Sequence, residues 1–253
     1  MSSENDSLDA AQVASILARV AKRRPRIHCL TNTVAQNVTA NMLLAFGAVP
    51  SMAGHPDEVA AVAAGAGAIL INLGTISPEG ERAIPKLVGV ARERGIPLVL
   101  DPVFVELSPL RLGLAEAILR LPGVTVRGNA TEMAALDAVM RRADDFLRVT
   151  TGKVDRIEGD GRSFSIGHGH ELMTKVTGLG CASSALVAAC RAVEPDAAVA
   201  AAAALTAYGI AGEVAAERAA GPGSFAMLLI DALAGLDEAT LAKRMGRDPT
   251  ASA

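Results

Sequence analysis

The stretch Ala68-Ile-Leu-Ile-Asn-Leu73, continued by Gly74-Thr75 and Ser77-Pro78-Glu79, decides the fold. An apolar run without polar alternation is a strand buried on both faces. Ser77-Pro78-Glu79 is a helix start: a capping hydroxyl, a proline in the first turn and an early acid. The same order, strand then turn then helix, recurs on either side. Upstream, Ile27-His-Cys-Leu30 leads through Thr31-Asn-Thr33 to a helix from Ala35 to Phe46, closed by Gly47. Val49 to Met52 is a further strand, and Pro56 suits the first turn of the helix after it. Downstream, Ile96 to Leu100 ends at Asp101-Pro102, and Val124 to Val126 ends at Arg127-Gly-Asn129. A helix to about Arg142 precedes the strand Phe146 to Thr150, two short strands follow near 154–157 and 162–166, and from Cys181 the chain reads as helix. This alternation predicts an α/β fold, a mostly parallel central sheet covered by helices on both faces. Ligands in such sheets bind at the carboxyl ends of the strands. Asn32, Gly74-Thr75, Asp101, Arg127-Gly-Asn129 and Thr151-Gly152 all fall there.

The chain has 253 residues, 51% apolar and 20% charged, enough to bury the core of one large domain. No linker or internal repeat divides it, so one domain is expected over 9–253, after a disordered tail over 1–8. Ser7-Leu-Asp9 caps a first helix that runs to about Arg24, with Val13, Ile16, Leu17 and Val20 on one face. Trp is absent and Tyr occurs once, so the core is built from Ala, Val, Leu and Ile. Aromatic scarcity excludes stacking platforms for single-stranded nucleic acid. A net charge of −3 gives no basic footprint for duplex binding. The apolar run Ala197 to Ala207 falls short of the roughly 20 residues of a membrane span. The polar, acidic start carries no signal-peptide pattern, and three cysteines without metal spacing suit a reducing compartment. A cytoplasmic location without nucleic-acid or membrane partners is therefore expected.

The segment Lys175-Val-Thr-Gly-Leu-Gly-Cys181 puts Gly178 and Gly180 immediately before a helix. Unpaired N–H groups and the helix dipole make such a turn an anion cradle, here without a Walker lysine; the alternative is plain close packing. Asp101 and Glu132 are candidate magnesium carboxylates, since that ion takes one or two carboxylates plus phosphates. Glu132 reads equally as a first-turn acid and Asp101 as a turn residue before Pro102. Cys181 at a helix N-terminus is either a thiol of lowered pKa able to accept a proton or a neutral group shaping the pocket. Arg127 suits a phosphate clamp, and Met52 suits packing against a heteroaromatic ring. His28, Cys29 and Cys190 read as packing, His168 and His170 as a turn, and Ser224 as the N-cap of a later helix.

These residues lie in segments that resemble the hydroxyethylthiazole kinase family of the ribokinase-like superfamily. The segments are Ile27-His-Cys-Leu-Thr-Asn32, Ala48-Val-Pro-Ser-Met52, Asn72-Leu-Gly-Thr75, Leu100-Asp-Pro-Val103, Arg127-Gly-Asn129 with Glu132, Thr151-Gly152, Thr174 to Cys181 and Gly221-Pro-Gly-Ser-Phe225. The Thr-Gly-x-Gly-Cys form is the specific part, since related sugar, pyrimidine and pyridoxal kinases usually carry Asp at the position of Cys181. The resemblance implies an ATP-dependent transferase that phosphorylates the hydroxyl of 4-methyl-5-(2-hydroxyethyl)thiazole in thiamine biosynthesis and salvage. It also implies Mg²⁺ and a homotrimer with thiazole at the subunit interface. Met52 and Gly178 would contact thiazole, with Asn32 reaching it from the neighbouring subunit. Arg127, Thr151 and Asn129 would bind ATP, Asp101 and Glu132 would serve the metal, and Gly178 to Cys181 would form the anion hole. The alternatives are a related vitamin kinase, such as one acting on hydroxymethylpyrimidine, and a non-catalytic thiazole-binding relative.

Two departures from that family bear on the site. Asp101-Pro-Val103 continues into Phe104-Val-Glu106, where the family has small residues, so a reshaped pocket near the metal is expected. The segment from Asn129 to Thr151 is short, which points to a missing outer element near the nucleotide.

Overall fold

The computed structural model describes residues 5–141, 145–159 and 161–246. In chain order the elements are α1 (Ala10–Arg23), β1 (Arg26–Leu30), α2 (Gln36–Ala45), β2 (Val49–Ser51), α3 (Val59–Ala63), β3 (Ala68–Asn72), α4 (Pro78–Arg94) and β4 (Leu98–Asp101). A 3₁₀ turn (Val105–Leu107), α5 (Pro109–Ile118), β5 (Val124–Asn129), α6 (Ala130–Met140), β6 (Phe146–Thr151), β7 (Asp155–Gly159) and β8 (Arg162–Ile166) follow. A second 3₁₀ turn (Glu171–Lys175) precedes α7 (Leu179–Arg191), α8 (Ala197–Ala216), α9 (Pro222–Ala234) and α10 (Glu238–Met245).

The strands form one sheet in the order β2-β1-β3-β4-β5-β6-β7-β8. Pairing is parallel from β2 through β6 and antiparallel for β6–β7 and β7–β8. The order reverses between β1 and β3, because the chain leaves β1 for β2 on one side and returns to β3 on the other. That crevice is the topological switch point of the sheet. Strand residues alternate between two cores. Leu70 and Val99 join α1, α2, α7, α8, α9 and α10 on one face. Ile69, Ile71, Leu98 and Leu100 join α3, α4, α5 and α6 on the other. The expected α/β fold, with helices covering both faces of a mostly parallel sheet, is what forms.

Local chemistry sets the element ends. Asp9 accepts from the Gln12 N–H at 2.7 Å while Gln12 accepts from the Asp9 N–H at 2.9 Å, a reciprocal cap on α1. Ser77 caps α4 by accepting from the Gly80 N–H at 3.1 Å, and Gly95 closes that helix at φ +63°. Ser224 does not cap α9 in the expected way. It sits in the first turn, where its hydroxyl accepts from the N–H groups of Ala220 and Gly221, and Gly221 takes the N-cap position.

The region ahead of α1 departs from a disordered tail over 1–8. Asp6 donates its N–H to the Ser163 carbonyl at 2.7 Å and its carboxylate accepts from the Ser163 N–H at 3.0 Å. This short parallel bridge covers the outer edge of β8, an edge that would otherwise present unpaired backbone groups. Residues 1–4 lie outside the described residues, as do Arg142, Ala143 and Asp144 after α6.

The apolar run at Ala197 extends further than its alanines suggest. Helix α8 has 20 residues and is long and apolar enough to cross a membrane, but 78% of its apolar window is buried inside the protein. Its small residues admit close neighbours: a Cβ on Gly209 would lie 2.5 Å from the His168 carbonyl oxygen. We expect Gly209→Ala to lower unfolding free energy by about 1–3 kcal/mol, the usual cost of overpacking. Gly89→Ala, at a helical position with nothing within 4 Å of the added Cβ, should raise it by about 0.5–1 kcal/mol. Urea unfolding of both variants checks the pair.

Candidate active site

A chain of buried polar side chains crosses the switch point. Asn32, just past β1, accepts from the Ala35 N–H at 3.0 Å and donates to Asn72 Oδ1 at 3.0 Å. Asn72, the last residue of β3, donates to Asp101 Oδ2 at 2.8 Å. Ser184, on the second turn of α7, donates to the same oxygen at 2.8 Å. The strand register explains the contact: Asn72 and Asp101 are paired positions at the ends of β3 and β4.

Asp101 is 2% exposed, and burial pushes its carboxyl up to about 6. The Arg127 guanidinium opposes that rise, as do the hydrogen bonds from Ser184 and Asn72, while the Glu132 carboxylate adds to it. Glu132 completes a capping box on α6. Its Oε2 accepts from the Asn129 N–H at 2.8 Å, and Asn129 Oδ1 accepts from Thr131 and Glu132. Glu132 Oε1 takes the Phe104 N–H at 3.0 Å. Both readings of Glu132 thus coexist: it is a first-turn acid, and it stands beside Asp101.

These residues fit a magnesium ion held together with phosphates. Among the described residues nothing hydrogen-bonds to Asp101 Oδ1, and a cation would offset the charge of a buried carboxylate beside a second acid. Among the described residues no group of three or more His, Cys, Asp or Glu gathers, so the protein supplies at most a pair of carboxylates. That donor set is the one magnesium uses beside nucleotides.

The glycine-rich turn forms the opposite wall. Gly178 caps α7 at φ +83°, with its Cβ position 3.0 Å from Val38 and 3.3 Å from Ala35, so only glycine fits. Tyr208 in α8 donates its hydroxyl to the Leu179 carbonyl at 3.1 Å and pins the turn from behind. The Arg127 Nη1 lies 3.6 Å from the Cβ position of Gly180, and its Nε is buried without a partner. Among the described residues the Arg127 side chain makes no hydrogen bond or ion pair, and it stands beside the first turn of α7. Thr151 joins this side, its hydroxyl 3.3 Å from the Gly128 carbonyl and its backbone paired with Asn129.

Of the two readings of Cys181, the neutral group is the one that fits. Burial pushes the thiol up, and the nearby Asp101 carboxylate pushes it further, outweighing the hydrogen bonds from Asn72 and Asn32 and the Arg127 charge. Cys181 is a neutral thiol that accepts from Asn32 Nδ2 at 3.4 Å. That bond sets Asn32 beside the glycine-rich turn of its own chain. Met52 and Asn32 line a cavity of about 260 Å³ with Thr31, Asn72, Gly74 and Thr75; Gly178 does not line it.

Phe104 keeps a left-handed backbone, φ +53°, a strained state for a residue with a side chain. Its ring is 54% exposed, so its N–H, not its bulk, reaches the site through Glu132. His28 is buried in the sheet, pushed down to about 4 by burial, and His168 Nδ1 pairs with Glu213 at 2.9 Å. Both are structural, as expected. Asn72 and Ser184 were not among the expected site residues. Their only signal was a polar side chain ending the apolar run 68–73 and a hydroxyl inside an alanine-rich helix.

The chain matches the model of the hydroxyethylthiazole kinase family over residues 17–144 and 137–239. The two stretches meet in the connection from α6 to β6, where the sequence is short. It is 43% identical over 224 residues to a probable hydroxyethylthiazole kinase of Agrobacterium fabrum, covering 88% of this chain and 89% of that protein. It is 42% identical over 248 residues to the hydroxyethylthiazole kinase of Granulibacter bethesdensis, covering 89% and 90%. Among solved structures, a hydroxyethylthiazole kinase protein from Pyrococcus horikoshii aligns with TM-score 0.85 at 37% identity, covering 90% of this chain and 94% of that one. A ribokinase-like superfamily protein from Enterococcus faecalis aligns with TM-score 0.64 at 11% identity, a likeness of fold alone.

The raised Asp101 group makes a signed prediction for the protein free of metal and nucleotide. Its folded-state pKa lies above the ordinary carboxylate value of about 3.9, so folding favours the protonated acid. Its favourable contribution is present below pH 4 and is lost as pH rises through about 6. Asp101→Asn should therefore gain stability over the wild type across that window, by up to about 3 kcal/mol at pH 7. Chemical denaturation at pH 4, 5, 6 and 7 measures it; a difference that is flat with pH contradicts the assignment.

Proposed function

Since the chain belongs to the hydroxyethylthiazole kinase family, we propose that it transfers the γ-phosphoryl group of ATP to the hydroxyl of 4-methyl-5-(2-hydroxyethyl)thiazole in thiamine biosynthesis and salvage. The observation that carries this is Arg127, uncommitted, over the Gly178–Cys181 turn and beside Asp101. Phosphoryl transfer passes through a loose transition state, so catalysis is positioning and charge stabilisation. Arg127 grips phosphate oxygens, and the first N–H groups of α7 receive the charge that builds on the transferring group. Thr151 and the free amide nitrogen of Asn129 border the nucleotide. With no Trp and with Tyr208 buried and engaged, aliphatic walls and backbone hold the adenine.

Asp101 and Glu132 would hold Mg²⁺, which would supply positive charge to neutralise that of the phosphates. Met52 and Asn32 shape the thiazole side, and Gly178 lets the acceptor chain approach the turn. Cys181, a neutral thiol, shapes the space beside the alcohol instead of taking its proton. The relatives' names favour the thiazole alcohol over a pyrimidine alcohol. We place the enzyme in the cytoplasm as a homotrimer. Supporting a subunit contact along α2, Val34, next to Thr33 of that cavity, is 58% exposed, and Leu44 in the last turn of the helix is 55% exposed.

A coupled ADP-release assay with ATP, Mg²⁺ and hydroxyethylthiazole tests the activity; binding of thiazole with no turnover would leave a non-catalytic relative. Arg127→Ala should raise the KM for ATP about tenfold to hundredfold, the worth of a charged hydrogen bond. Cys181→Ala should keep kcat within about tenfold, below the usual effect of removing a general base. Leu44→Asp should shift the protein to a smaller species in light scattering and raise the KM for thiazole.

A further inference from the structure

We infer that Asn72 and Ser184 are positioning residues: together they hold Oδ2 of Asp101, and Asn72 ties that carboxylate to the alcohol side of the site through Asn32. The inference rests on the assignment of Asp101 to the metal proposed above.

Neither residue has a reason to be polar in its element alone. Asn72 is 1% exposed at the end of an apolar strand, and Ser184 is fully buried in α7 among Ala182, Ala185 and Leu186. A buried polar group is tolerated only when it is hydrogen-bonded. Ser184 gives its hydroxyl hydrogen, and Asn72 one of its two amide hydrogens, to a single oxygen, Asp101 Oδ2, at 2.8 Å each. The carboxylate cannot rotate without losing both bonds. Oδ1, which takes no hydrogen bond among the described residues, is then the oxygen left for a ligand.

Asn72 has only one workable orientation. Its Oδ1 accepts from the Gly74 N–H at 3.0 Å and from Asn32 Nδ2 at 3.0 Å, while its Nδ2 faces Asp101. Turning the amide over would set donor against donor on one side and oxygen against carboxylate on the other. Asn32 in turn donates to Cys181 Sγ and borders the cavity assigned to thiazole. One side chain thus links the orientation of the metal-side acid to that of the acceptor-side amide. Partners of this kind behind a metal ligand commonly change metal affinity 10- to 100-fold.

The variants Ser184→Ala and Asn72→Ala separate this from a stabilising role. In the full chain, the half-saturating Mg²⁺ for ADP release, the KM for hydroxyethylthiazole and the melting temperature are measured. Mn²⁺ binding in the presence of ADP, read by electron paramagnetic resonance, reports metal affinity without turnover. Ser184→Ala should weaken both metal readouts at least tenfold and leave the thiazole KM within twofold. Asn72→Ala should weaken the metal readouts and raise the thiazole KM as well. If Asn72→Ala does not fold, Ser184→Ala decides alone, because alanine suits its buried helical position. A Ser184→Ala protein whose Mg²⁺ and Mn²⁺ titrations overlay those of the wild type overturns the inference, whatever its melting temperature. The underlying assignment fails in a different way: the wild type releases no ADP, or Asp101→Asn leaves Mn²⁺ binding unchanged.

Discussion

A sheet covered by helices on both faces has almost nowhere to keep a polar side chain except the ends of its strands. That constraint organises this molecule. The interior of the sheet is mostly Val, Leu, Ile and Ala, split between two cores, with His28 and Thr125 as buried polar exceptions. The polarity the chemistry needs is displaced to the carboxyl ends of β1, β3, β4, β5 and β6. The reversal of strand order between β1 and β3 opens a crevice there. Because Asn72 and Asp101 share a register position, a strand end that is polar once becomes polar twice, and the two side chains meet.

The cost of that meeting is a carboxylate almost wholly withdrawn from water. Asp101 is held by two neutral donors, neither of which balances its charge, and the nearest cation, Arg127, stands over the anion turn. A site made this way holds a buried acid whose charge its hydrogen-bond donors leave uncompensated. The same field that raises the proton affinity of Asp101 keeps Cys181 a thiol. Burial is the larger cause for both groups, and the Asp101 charge adds to it at Cys181.

Much of the architecture was legible in residue order. Continuous apolar runs ending in Gly, Asp or Asn marked the parallel strands, and Ser77-Pro78 and Gly178-Leu-Gly180 marked helix starts. The strands near 154–157 and 162–166 were found, although their antiparallel pairing was not. What stayed hidden depended on long-range contact. Asp6 bridges to a strand more than 150 residues away, a pairing no local pattern carries. Asn72 and Ser184 read as minor interruptions of apolar segments until the register and α7 put both against one oxygen. The state of Cys181 stayed open because a helix N-terminus is a local feature, whereas burial and the Asp101 charge come from the folded whole. Ser224 looked like a cap from its position after Gly-Pro-Gly, but the proline starts the helix two residues earlier.

The contacts behind the anion turn carry a consequence for synthesis. Residues 168–180 are seated on α8: Tyr208 holds Leu179, Gly209 admits the His168 carbonyl, and a Cβ on Gly212 would meet Met173 Sδ at 2.6 Å. A chain leaving the ribosome from its N-terminus therefore exposes the strands and the turn well before the helix that seats them. The sheet can pair while translation continues, yet the catalytic face stays unformed until nearly the last helices emerge. A nascent chain stalled or cleaved before Tyr208 would hold all eight strand segments without the helices that seat the turn and close one face of the sheet.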